Sequence, residues 1–138
     1  MGEANVWSYA KLPGDDGRSA GVSVNGYELD CEIPLDPEPE PSGATPFGLL
    51  AGSLSACTAM SVRTYLQRWR VDPGEVVVHV AFRPGRPPIM ERRVSVEADV
   101  EPGLREQLAL EVDHTPVTVL LRDTLTIRTV LATGVRND

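Results

Sequence analysis

Thr45-Pro46 and Asp72-Pro73-Gly74 bracket about twenty-five residues that contain no proline and no turn dipeptide. A hydroxyl able to cap, followed by proline at the first helical position, is a helix start, and Asp-Pro-Gly is a stop. The spacing predicts a single helix from Pro46 to about Arg70, which is long for a chain of 138 residues. Its first half is apolar and small on nearly all sides and is expected to be buried. Arg63, Gln67, Arg68 and Arg70 make the second half partly wet, and Tyr65 and Trp69, one helical spacing apart, are expected to pack.

The rest of the chain is arranged around that helix as strands and one shorter helix. "NVWSYAKL" reads as a first strand ended by "PGDDG". "RSAGVSV" and "YELDCEI" flank Asn25-Gly26, a strong hairpin signal, because a type I′ turn needs positive φ at both central positions. Alternation in the second of these puts Tyr27, Leu29, Cys31 and Ile33 on one buried face. "PLDPEPEPSGA" is a Pro-rich acidic connector, expected to run extended over the surface.

After the long helix, "EVVVHVAF" sets Val76, Val78, Val80 and Phe82 on one face, and "RVSVEADV" does the same for Val94, Val96, Ala98 and Val100, with Arg93 outward. "PGLREQLALEVDH" is an amphipathic helix with Leu104, Leu108 and Val112 at helical spacing. Thr115-Pro116 repeats the hydroxyl-plus-proline start and opens a short second piece. "DTLTIRTVL" closes as a strand with Leu125, Ile127 and Leu131 facing in. No internal repeat or second domain is visible. Residues 1–138 read as a single α+β domain ordered strand–strand–strand, helix, strand–strand, helix, strand.

Composition narrows the function classes. A net charge of −7 with pI near 4.8 argues against a nucleic-acid or anionic-membrane partner, either of which wants a basic face. No secretory apolar core or bilayer-spanning run is present, and the default compartment is the reducing cytoplasm. Cys31, Cys57, His79 and His114 are too few and too scattered for a metal site, so none is expected. His79 reads as a surface strand residue and His114 as a solvated turn residue.

Cys57 is the remaining candidate. Around it stand Ala51, Gly52, Ser53, Ser55, Ala56, Thr58 and Ala59, so the helix is thin there. Small residues admit close packing, and a free cysteine serves as a small hydrophobe. A reactive thiol is the other reading, and it requires a nearby positive charge, because the thiolate is the nucleophile. The helix dipole does not reach that far from the cap. Arginine is the best cation for such a place. Arg18, just before the second strand, is one candidate, and spacing alone does not choose it over Arg63 or the others.

"TPFGLLAGSLSACTAMSV" resembles the cysteine helix of the OsmC/Ohr group of peroxide-stress proteins. "GRSAGVSVNGYELDCEIP" is similar to that family's opening hairpin, and "VDHTPVTVLLRDTLTIRTVL" resembles its closing segment. The resemblance implies an OsmC-like fold, an intertwined homodimer with long helices wrapped by two sheets, and a role in the oxidative stress response. It also implies peroxiredoxin activity on organic or inorganic hydroperoxides, with Cys57 as nucleophile and Arg18 as its cationic partner. No cofactor beyond an external thiol or dithiol reductant is implied. Phe47, Leu50, Leu54 and Met60 are placed to line an apolar pocket beside Cys57, although core filling explains them equally well.

The departures from that pattern matter. Fully active members carry a second cysteine immediately before a Pro-Val pair, where this chain has Thr115. Many have a glutamate just after the helix-starting proline, where this chain has Phe47-Gly48. Three readings follow: a one-cysteine peroxidase resolved by an external thiol, resolution by Cys31, or a non-catalytic homodimer that binds a small apolar ligand or senses oxidants through its thiol.

Overall fold

A computed structural model describes residues 6–14, 17–32 and 44–135. Ile33 and the acidic connector up to Gly43 lie outside the described residues. The elements are β1 (Ser8–Lys11), β2 (Ser19–Val24), β3 (Tyr27–Glu32), α1 (Pro46–Arg68), β4 (Val76–Arg83), β5 (Ile89–Val96), α2 (Pro102–Val112), α3 (Pro116–Leu121) and β6 (Thr126–Thr133). They fall into two compact units, Met1–Leu49 and Leu50–Asp138.

The first unit holds an antiparallel sheet in the order β1-β2-β3. Asn25 (φ 48°) and Gly26 (φ 89°) close the β2–β3 hairpin, both at positive φ as a type I′ turn demands. The Trp7 amide donates to Asn25 Oδ1 at 2.8 Å, which ties the chain before β1 to that turn. Cys31 faces inward and is buried, but Tyr27, expected on the same face, is exposed. It adjoins the turn at the strand's end, where nothing covers it.

At the start of α1 the Thr45 hydroxyl accepts from the Gly48 amide at 3.0 Å, the expected cap. Its end comes at Arg68, two residues before the sequence pattern suggests. The Val71 amide donates to Leu66 O and the Arg70 amide to Gln67 O, with Arg70 at φ 60°, which is a Schellman motif built on a non-glycine residue. Trp69 therefore falls outside the helix and is exposed, whereas Tyr65 packs on the core.

The first half of α1 is not buried all round as expected. Leu54 is fully buried, but Phe47, Gly52, Ser53 and Ala56 are exposed. Burial follows a narrow i, i+4 row of Leu54, Thr58, Val62 and Leu66, so the small residues on the opposite side are left uncovered.

The second unit holds the sheet β4-β5-β6. β4 and β5 pair antiparallel, whereas β5 and β6 pair parallel. A parallel neighbour needs a long crossover, and α2 with α3 supplies it. Val62 and Leu66 of α1, Val94 and Val96 of β5, Val100, and Leu108 and Val112 of α2 form one core. β5 starts at Ile89, four residues before the expected strand, and ends at Val96. Glu97–Val100 leaves the sheet, although Val100 still reaches the core. Extending the strand backward turns Met90 and Arg92 inward in the same alternating row as Val94 and Val96.

Candidate functional site

Arg92 is 1% exposed, among the largest fully buried side chains of the molecule. Sequence reading misses it, because the expected strand begins at Arg93, next to Arg92 and four residues after the observed start at Ile89. The signal was available: Met90, Arg92, Val94 and Val96 are two residues apart, and strand alternation puts all four on one face.

The buried guanidinium has five N–H donors, and each finds an acceptor. Nε donates to Thr129 Oγ1 of β6 at 3.0 Å. Nη1 donates to Thr58 Oγ1 of α1 at 3.0 Å and to Thr118 Oγ1 of α3 at 2.7 Å. Nη2 donates to Val112 O at 3.2 Å and reaches Asp113 Oδ1 at 3.5 Å. Val112 ends α2, so the cation also satisfies a terminal helix carbonyl. One side chain therefore ties together four elements of the second unit.

The charge is poorly neutralised. Asp113 is the carboxylate that approaches it, and that side chain is 59% exposed at a distance longer than a good ion pair. The remaining acceptors are neutral. Burial pushes the Arg92 guanidinium down from its ordinary value, while the negative charges of Asp113 and of Cys57 in its thiolate form hold it up.

Cys57 is half-buried and unpaired by any disulfide. It follows Ala56 on the exposed side of α1 and precedes Thr58, whose hydroxyl donates to Leu54 O at 2.7 Å while accepting from Arg92. One turn further along stand Met60 and Ser61. They line a groove of about 290 Å³ with Thr64, Tyr65, Glu111, His114 and Thr115. The thiol thus lies at the margin between the buried row of α1 and an open flank.

Thr115 is buried at the start of α3, but its hydroxyl does not cap that helix. It shares a 2.7 Å hydrogen bond with the Thr118 hydroxyl, which accepts from Arg92. Thr115 is thereby an outer member of the Arg92 network.

The structure brings Met60 and Thr115 to one groove and leaves Phe47 exposed, Leu50 half-buried and Leu54 sealed in the interior. Arg18 belongs to the first unit, exposed just before β2. Cys31 is buried on β3, opposite Ala20 of β2. His79 is exposed on β4, and His114 is exposed with its ring Nδ1 2.8 Å from Leu110 O. Among the described residues, no three His, Cys, Asp or Glu side chains group to hold a metal, and no helix is long and apolar enough to cross a membrane.

No protein-family model and no curated protein matches the sequence. The fold does match solved structures. An organic hydroperoxide resistance protein from Elizabethkingia anophelis superposes with a TM-score of 0.74 at 18% identity, over 98% of this chain and 99% of that one. An OsmC-like protein from Mycoplasma pneumoniae gives 0.73 at 12% identity, over 95% and 98%. An organic hydroperoxide resistance protein, OsmC, from Legionella pneumophila gives 0.70 at 17% identity, over 98% and 100%. The chain has the α+β fold of OsmC-like proteins along nearly its whole length.

Proposed function

We propose that this protein is an OsmC-type thiol peroxidase working with one cysteine. The observation that carries the reading is a free, half-buried Cys57 at the centre of the long helix of this fold. Two of the solved structures that share the fold are organic hydroperoxide resistance proteins.

In the reaction, the Cys57 thiolate attacks the terminal oxygen of a hydroperoxide. The O–O bond breaks and the alkoxide leaves, taking a proton to become an alcohol, or water when the substrate is hydrogen peroxide. The sulfur is oxidised by two electrons to a sulfenate. Arg18 is proposed as the cation that orients the peroxide. With threonine at 115, an external dithiol or two thiols reduce the sulfenate, and its oxygen departs as water. Phe47, Leu50 and Met60 are proposed to bind the organic part of the substrate. A homodimer is part of the reading, supported by the uncovered small and apolar side of α1 at Gly52, Ala56 and Met60, and the cytoplasm is the proposed compartment.

The test is to mix reduced protein with a slight excess of cumene hydroperoxide and follow each cysteine by peptide mass spectrometry. Rapid sulfenate formation confined to Cys57, slowed in Arg18→Ala and absent in Cys57→Ser, is the expected result. Oxidation of Cys57 no faster than an ordinary thiol overturns the peroxidase. A Cys31–Cys57 disulfide overturns the one-cysteine version alone. Light scattering of the reduced protein reads its mass against the 15.0 kDa of one chain.

A further inference from the structure

We propose that Arg92 is a positioning residue for Cys57: its buried and under-neutralised guanidinium, hydrogen-bonded to the adjacent Thr58, favours the thiolate. The consequence for catalysis rests on the peroxidase reading, but the electrostatic claim does not.

Three observations lead there. Arg92 occupies a place in the row Met90–Arg92–Val94–Val96 that an apolar side chain of similar length would fill without desolvating a charge. Stability alone is a weak reason for an arginine at such a position. Second, the hydrogen bonds satisfy every N–H but bring little countercharge, since four of the five acceptors are hydroxyls or a carbonyl. Among the described residues the one carboxylate at the guanidinium is Asp113, which is water-exposed and 3.5 Å away. A positive field therefore survives in an interior that screens it poorly. Third, the guanidinium donates to Thr58, the residue next to Cys57 on the same helix, so α1 holds the thiol at a fixed offset from the charge.

Other ionisable groups face this flank of α1. Arg68, Glu111 and His114 line the groove beside Met60, and all three are exposed. Water and salt screen them far more than they screen Arg92. Thr115 enters through its bond to Thr118, because its hydroxyl helps to fix the Nη1 acceptor. A cysteine at 115 would put a weak donor and acceptor in that place. The residue at this position therefore serves the buried arginine.

The test uses the pH dependence of Cys57 alkylation by iodoacetamide, read by peptide mass spectrometry on the full-length chain, in wild type, Arg92→Lys and Arg92→Met. Alkylation of Cys57 is expected to need a higher pH in Arg92→Met, with a raised midpoint, and to be several-fold slower at pH 7. Arg92→Lys keeps the charge and is expected to retain most of the wild-type midpoint. Equal midpoints in wild type and Arg92→Met overturn the proposal, as does a rise in Arg92→Lys as large as in Arg92→Met. Should the Met variant fail to fold, Asp113→Asn carries the test: the exposed carboxylate is lost and the midpoint is expected to fall, whereas an unchanged or raised midpoint overturns the proposal. A Cys57 that ignores hydroperoxide yet responds to Arg92 refutes the peroxidase and leaves this inference standing. Fast peroxide oxidation with a midpoint indifferent to Arg92 does the reverse.

Discussion

The two units of this chain are built to different standards. Among the described residues of the first, only Ser23 and Cys31 are buried, and β1 is exposed along its whole length. The second has a continuous core from α1 through β5 to α2, and a polar cluster at Arg92 whose members are fully hydrogen-bonded. A three-stranded sheet with so little covered surface has small stability of its own. A packed core has more. Hydrophobic burial and the buried polar cluster fall in the same unit.

The sharpest way to break that contrast is to make equal truncations in each unit. Leu108→Ala removes a fully buried side chain and is expected to cost about 2–5 kcal/mol by urea denaturation. Leu29→Ala, half-buried on β3, is expected to cost about 1 kcal/mol, mostly lost apolar contact. Equal costs would mean that the first unit is as well packed as the second.

Next in size is Thr118→Val, which keeps the shape but strips an acceptor from Arg92 Nη1 and a partner from Thr115. The expected loss is about 1–3 kcal/mol, since a buried donor is left short of its bond. In the first unit, Gly26→Ala forces a side chain into φ 89° and is expected to cost about 1–2 kcal/mol, read by thermal melting.

The smallest effect is expected at the exposed pair Arg83–Glu91, 2.9 Å apart across β4 and β5. The Arg83 hydrogen bond and charge hold the Glu91 carboxyl below its ordinary value. Its contribution is therefore present above the unfolded-state value and disappears as pH falls through the folded one. Glu91→Gln is expected to lower the melting temperature slightly at pH 7 and not at all in strong acid. A large loss at pH 7 would show that the outer sheet face carries more stability than an exposed pair should.

Hydrogen exchange separates the units without mutation. Amides of β1 are expected to exchange well before those of β5, because the former strand is exposed and the latter lies between two neighbours under a helix.

Several features were set by the sequence alone because they depend on residues within one or two turns of each other. Thr45-Pro46 starts α1 through a hydroxyl three residues from the amide it accepts. Asn25-Gly26 closes the hairpin because both residues tolerate positive φ. The Leu104, Leu108 and Val112 spacing makes α2 lie on the core. Cys57 stood out from its small neighbours and its place on a long helix.

Only the tertiary structure decided the rest. The exposure of Tyr27 and Trp69 depends on which surfaces another element covers, and alternation or helical spacing says nothing about that. The parallel β5–β6 pairing joins strands separated by two helices. Arg92 is the clearest case. Read locally, it is one of two adjacent arginines in a strand, and a charged side chain belongs in water. It is buried because Thr58, Val112, Thr118 and Thr129, between 20 and 37 residues away, supply acceptors at one point in space. Alternation puts Arg92 on the face of Met90, Val94 and Val96, but no single segment carries its acceptors, so only the folded chain shows that the charge can stay there.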